Sequence, residues 1–262
     1  LLRIIAFASA YVKEVLYRAA RSVRLAHHGS RTIGMALLGK GVLAIWNGMT
    51  PGFEEEFTRW HVQEHIPERV GLPGFERGRR YVAVDGHPQF FNFYETQTVA
   101  DLESPAYKER LNNPTPWTLA TVKQFTDTSR TLCNVALTRG RGEGVFIETV
   151  ELETSKGDDV FTATFESALD HLAGLDGVVG LHLLRGQIGQ DQTMTEEKKL
   201  RGAPDREVAW LLLIETIDPE PLIVIREHAL TDAFLTQIGS TKIKRGIYRL
   251  QYSLGKTELL RG

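Results

Sequence analysis

Gly71-Leu72-Pro73-Gly74 returns as Gly174-Leu175-Asp176-Gly177, and Gly41-Val42 returns as Gly144-Val145, both at an offset of 103 residues. Two matches at one spacing are the signature of a duplicated unit. Around the first copy, residues 41–47 form a short apolar run of strand length, and Pro51-Gly52 opens an amphipathic helix. Pro67 is expected to end that helix near His65, because proline lacks an amide hydrogen and disfavours helix at the residue before it. Residues 77–84 and the aromatic-rich 89–96 read as two strands about the turn Asp85-Gly86-His87-Pro88. Helical pieces over 99–111 and beyond Pro116 precede a fourth strand at 129–138.

The same order follows the second copy. Strands are expected at 144–151, 178–185, 208–216 and 243–252, with helices at 159–172 and 219–238. Glu95-Thr96 meets Glu215-Thr216 at an offset of 120, so 17 extra residues fall between the middle strands of the second copy. That stretch, the polar residues 187–205, is expected to be a long, mobile hairpin loop. Two βαββαβ units imply an α+β chain of two tandem ferredoxin-like modules, 40–139 and 143–254. Each antiparallel sheet needs its bare face covered, and the second copy can supply the cover. The expected architecture is an intrachain pseudo-dimeric α+β barrel with the two sheets face to face.

Composition narrows the function classes. The chain has 262 residues, 42% hydrophobic and 24% charged, as in an ordinary globular protein. A formal charge of −2 leaves no overall footprint for nucleic acid. No apolar run approaches the roughly 20 residues that span a bilayer. The single cysteine, Cys133, cannot form an internal disulfide and fits a reducing cytoplasm. Residues 1–34 stand apart, with six basic residues against Glu14 alone. This basic extension reads either as a presequence or membrane-surface helix, or as a dispensable tail ahead of Met35.

The chemistry concentrates in Trp60-His61-Val62-Gln63-Glu64-His65-Ile66-Pro67-Glu68-Arg69. At about 100° per residue, Phe57, Trp60 and Glu64 share one stripe, with His61 and Glu68 beside it and His65 at its edge. A core-facing stripe that turns from aromatic to ionisable is costly unless it lines a cavity. His61, Glu64 and His65 are therefore the candidate proton-transfer group, a carboxylate near an imidazole raising its basicity. The alternative is a capped and ion-paired surface cluster. His61 to His65 also matches the inverted zinc-protease pattern H-x-x-E-H, but that motif wants a longer helix and a third ligand, so no metal is assigned. Arg79 and Arg80 sit on opposite strand faces and are candidate anion holders, although an ion pair with Glu64, Glu68 or Glu95 is the preferred account of these arginines. Trp60, Glu68, Tyr81, Tyr94, Asn113 and Trp117 complete the candidate substrate walls.

Glu64-His65-Ile66-Pro67-Glu68-Arg69-Val70-Gly71-Leu72-Pro73-Gly74-Phe75, continuing to Arg79-Arg80-Tyr81-Val82-Ala83, resembles the dimeric α+β barrel superfamily, nearest its EthD-like branch. Ser104-Pro105-Ala106-Tyr107 and Leu111-Asn112-Asn113-Pro114-Thr115-Pro116-Trp117 carry the same resemblance, which covers residues 40–135 well and the second half only in topology. That superfamily includes cofactor-free monooxygenases, isomerases, cyclases, dehydratases and haem enzymes. The resemblance implies a pocket between helices and sheet. The expected protein is an enzyme acting on a small carbonyl-bearing or aromatic compound, without a cofactor, although haem or a divalent metal stays open. The rival is a non-catalytic ligand-binding or assembly protein. No nucleic-acid or membrane partner is expected, and a further homodimer is left open.

Overall fold

The computed structural model describes residues 36–189, 194–200 and 205–259; the basic extension lies outside them. Eight antiparallel strands form a closed barrel in the order β1-β3-β2-β8-β5-β7-β6-β4. They are β1 (Gly41–Met49), β2 (Phe75–Asp85), β3 (Phe90–Thr96), β4 (Phe125–Gly140), β5 (Phe146–Thr154), β6 (Val178–Gly186), β7 (Trp210–Thr216) and β8 (Ser240–Gly255). Within each half the first strand is central: β1 pairs with β3 and β4, and β5 with β7 and β8. The halves join by hydrogen bonding along their edges, β2 to β8 and β4 to β6. The two sheets are thus joined edge to edge as well as packed face to face. Edge pairing satisfies the backbone groups that an open sandwich would leave bare.

Strand alternation divides the core in two. Val42, Ala44, Trp46, Phe91 and Phe93 point into the barrel, where they meet Leu211, Leu213 and Tyr248 of the other half. Residues of the opposite parity, such as Leu43 and Tyr94, face the helices outside. On the outside of the first half, Glu54–Trp60, His61–His65 and Ile66–Val70 run on as one helix, α1. It is followed by α2 (Pro105–Asn112) and α3 (Pro116–Val122). In the second half, α4 (Asp158–Leu172) packs Phe161, Phe165 and Leu169 into its own apolar cluster. Among the described residues no helix is long and apolar enough to cross a membrane.

One end of the barrel interior is ionic. Arg79, fully buried, lies 3.0 Å from Glu95 of its own half and 2.8 Å from Glu215 of the other. Arg77 grips Glu95 through Nε at 2.7 Å and a terminal nitrogen at 3.0 Å. His182 lies 103 residues after Arg79, the repeat offset, and its Nε2 meets Glu215 at 3.1 Å while its Nδ1 meets Thr138 Oγ1 at 2.8 Å. Duplication has therefore left an arginine and a histidine at equivalent positions over equivalent carboxylates. Burial alone would raise the Glu215 carboxyl, but the Arg79 guanidinium, then His182 and the Gly144 amide, outweigh it and hold it well below the usual range. Cys133 also faces the interior, where burial pushes its thiol up to about 12 and leaves it inert.

Candidate functional site

The helix α1 does not stop at Pro67. Residues His61–His65 form a π turn in which the amide of Ile66 reaches back to the carbonyl of His61. Such a wide turn relieves the collision a proline ring makes with the carbonyl four residues back, and π turns recur at functional sites. It also changes the phase of the helix. His61 and His65 are both buried, at 3% and 8% exposure, whereas Glu64 is only half-buried. Gly78 of β2 lets this segment lie close on the sheet: a Cβ there would come within 2.9 Å of Ile66 Cγ2 and 3.0 Å of the Tyr94 ring.

The imidazoles continue a column of rings. His61 stacks on Phe57 at 5.1 Å and on His65 at 5.4 Å, and His65 leans on Trp60 at 4.3 Å. Nε2 of His61 and the hydroxyl of Tyr94 share a hydrogen bond of 3.1 Å. Nδ1 of His61 and Nδ1 of His65 are buried without a hydrogen-bond partner. Burial lowers both imidazoles well below their ordinary value, assisted by Arg80 and Arg69 at His61 and by Arg69, His61 and Arg110 at His65. Both rings are neutral at pH 7.

His65 lines a cavity of about 40 Å³ between α1, α2, α3 and the outer sheet face. Leu43, Ile45, Leu111, Val122 and Phe125 supply its apolar wall, and Trp60, Tyr94 and Tyr107 its aromatic one. Arg69, Arg130 and Glu197 supply charge. Glu197 comes from the second half. Within the polar insertion, residues 194–200 contain a short helix, α5 (Glu196–Leu200), which brings that carboxylate into a buried ion pair with Arg69. Arg69 also bonds Glu68 at 3.2 Å and lies over the Tyr107 ring, while Glu68 meets Arg110 at 3.0 Å. Burial raises the Glu68 carboxyl, and Arg69 and Arg110 only partly offset this.

Several residues expected at the site lie elsewhere. Glu64 is not the partner of either histidine; it accepts from Trp60 Nε1 at 3.2 Å, Thr115 Oγ1 at 2.5 Å and Thr118 Oγ1 at 3.2 Å, tying α1 to the start of α3. Arg79 and Tyr81 face the barrel interior, where the Tyr81 hydroxyl accepts from Arg79 at 3.0 Å. Arg80 is buried between Phe57 and Phe90, each 4.4 Å away, and donates to Gln251 and Thr58. Asn113 is exposed and closes the end of α2 on the carbonyl of Glu109, and Trp117 donates to Glu56 at 2.7 Å. Trp60, His65 and Tyr94 do reach the cavity, and His61 and Glu68 stand one contact behind it. Arg69, Tyr107, Arg130 and Glu197 were not singled out from sequence. Arg69 alone carried a signal, four residues beyond His65 on the same helix.

Among the described residues, no three His, Cys, Asp or Glu side chains are grouped to hold a metal ion. The cavity of about 40 Å³ has room for only a few waters, so any larger ligand, a haem included, needs its walls to move.

No protein-family model matches the chain, and no curated protein matches it in sequence. Solved structures do match its shape. An anthrone oxidase-like protein superposes with a TM-score of 0.58 at 17% identity, covering 84% of this chain and 94% of that one. A provisionally assigned monooxygenase from Fusobacterium nucleatum gives 0.54 at 10% identity, over 84% and 96% of the two chains. Another, from Lactobacillus acidophilus, gives 0.53 at 7% identity, over 83% and 97%. The fold is that of the dimeric α+β barrel. In this dimeric α+β barrel one chain supplies both halves, and only the first half presents the paired histidines of α1.

The buried neutral histidines make stability depend on pH. The folded chain binds fewer protons at His61 and His65 than the unfolded chain does below its ordinary value of 6.5. Stability is therefore full above that value and falls as pH drops toward the depressed folded values, with a slope of about 1.4 kcal/mol per pH unit for each imidazole. Urea unfolding at pH 7.0, 6.0 and 5.5 should show this decline, and it should be halved in His61→Phe, where one titration is gone. A flat profile would show that the imidazoles are not neutral in the fold.

Proposed function

We propose that the first-half cavity binds a small carbonyl-bearing or phenolic compound, and that His65 takes a proton from it. The observation that carries this reading is a neutral, buried imidazole on a cavity lined by aromatic rings and guanidinium groups. Nδ1 is buried without a hydrogen-bond partner, and we assign Nε2 as the nitrogen that meets the ligand. When it accepts a proton, the imidazolium is matched by the new enolate or phenolate, and Arg69 offers the anion a second cation. Return of the proton to the same carbon gives exchange, and return to another carbon gives an isomer. His61, bonded to Tyr94, sets the ring column on which His65 rests. The fold neighbours support an enzyme, one of them being anthrone oxidase-like. The single buried thiol of Cys133 is at home in a cytoplasm.

Anthrone is a suitable probe, since its methylene proton leaves an aromatic phenolate. In buffered D2O under argon, the protein should speed deuterium entry at that carbon over buffer, read by proton NMR. Binding of the compound without faster exchange would favour a non-catalytic ligand carrier, for which the small, ion-paired cavity already speaks.

A further inference from the structure

Glu197 is an odd wall for a binding cavity. Its carboxylate, 5% exposed, occupies the buried guanidinium of Arg69, and it arrives on a five-residue helix from the other half of the barrel. That helix rests on α2 and α3: Leu200 packs on the apolar cluster that includes Met49, Trp60 and Val122, and the amide of Glu196 bonds Asn112 Oδ1 at 3.3 Å. With α5 in place the cavity admits nothing larger than a few waters. We propose that the ligand of this cavity is a small aromatic carboxylate, whose anion takes the place of Glu197 on Arg69.

The proposal rests on the cavity being the substrate site and names the substrate's chemistry. Charge decides between an anion and a neutral ligand. If Glu197 withdraws, Arg69 and Arg110 are left sharing Glu68. A buried guanidinium short of negative charge is costly, whereas exchanging one carboxylate for another leaves the count of buried charges unchanged. A planar guanidinium also grips a ligand carboxylate in the same fork geometry it offers a side chain. The rings of Trp60, Tyr94 and Tyr107 stand ready for the flat body of the ligand. Glu197 thus acts as a built-in competitor: a ligand that cannot replace its charge, anthrone included, enters against that ion pair and binds more weakly than one that can.

The test uses 4-fluorobenzoate and its neutral analogue 4-fluorobenzamide, each titrated by fluorine NMR against the full chain. Glu197→Gln should bind the benzoate at least tenfold more tightly than the wild type, with the benzamide changed less than threefold. Arg69→Met should lose the benzoate affinity that the wild type shows, a comparison that stands even if Glu197→Gln folds poorly. Equal gains for benzoate and benzamide in Glu197→Gln would overturn the anion proposal while leaving the cavity as a binding site. Binding of neither compound to any of the three proteins would overturn both readings.

Discussion

Arg79→Met should lower the unfolding free energy by about 3–5 kcal/mol, the usual cost of removing one partner from a buried ionic group. The guanidinium is wholly inside the barrel and touches carboxylates from both halves, Glu95 at 3.0 Å and Glu215 at 2.8 Å. Methionine fills much of the volume, so the loss isolates charge rather than packing. Glu95 keeps Arg77, but Glu215 keeps only His182 and the Gly144 amide. For comparison, Lys242→Ala breaks an exposed pair with Glu153 and should cost under about 1 kcal/mol. In urea unfolding the two variants should differ plainly. Adding Glu215→Gln to Arg79→Met should recover part of the loss, because the stranded charge is then gone. Equal, small losses for Arg79→Met and Lys242→Ala would mean that the ionic end of the barrel does not join the halves.

His65→Ala should slow deuterium entry into anthrone by about 10²–10⁴-fold, the range in which a positioned acid–base group contributes. The residue stands at the cavity edge and makes no hydrogen bond through Nδ1, so its removal leaves the polar framework intact. Glu64→Gln is the informative contrast. Its carboxylate is engaged by Trp60, Thr115 and Thr118, away from both imidazoles. The amide should retain most of the exchange rate while the melting temperature falls by a few degrees through weaker anchoring of α3. Parallel loss of rate in both variants would restore Glu64 as the working partner of a histidine.

The duplication was legible in the sequence because it is written in local chemistry. The two Gly-Leu-X-Gly turns and the alternating strands beside them need no long-range information, and Gly74 and Gly177 both take a positive φ of 82°. Closure of the barrel was less accessible, since nothing in β2 or β4 announces which distant edge it will meet. The candidate helix was placed correctly but read with the wrong phase. An ideal helix puts Glu64 on the Phe57–Trp60 stripe, whereas the π turn at His61–His65 adds a wide step that buries His65 instead. Pro67, read as a stop, follows that wide turn and stays within the helix. Glu197 meets Arg69 across 128 residues of chain, and no periodicity encodes such a contact. Its one trace in the sequence was the insertion present in the second copy alone.

The most direct test of the site is a histidine-selective nitrogen NMR spectrum of the full chain at pH 7, recorded with and without anthrone. The His65 resonances should report a neutral imidazole and should move on addition of the compound, while those of the second-half residues His171 and His228 stay fixed. Unmoved His65 signals in the presence of bound anthrone would place the ligand elsewhere and contradict a site built on this helix.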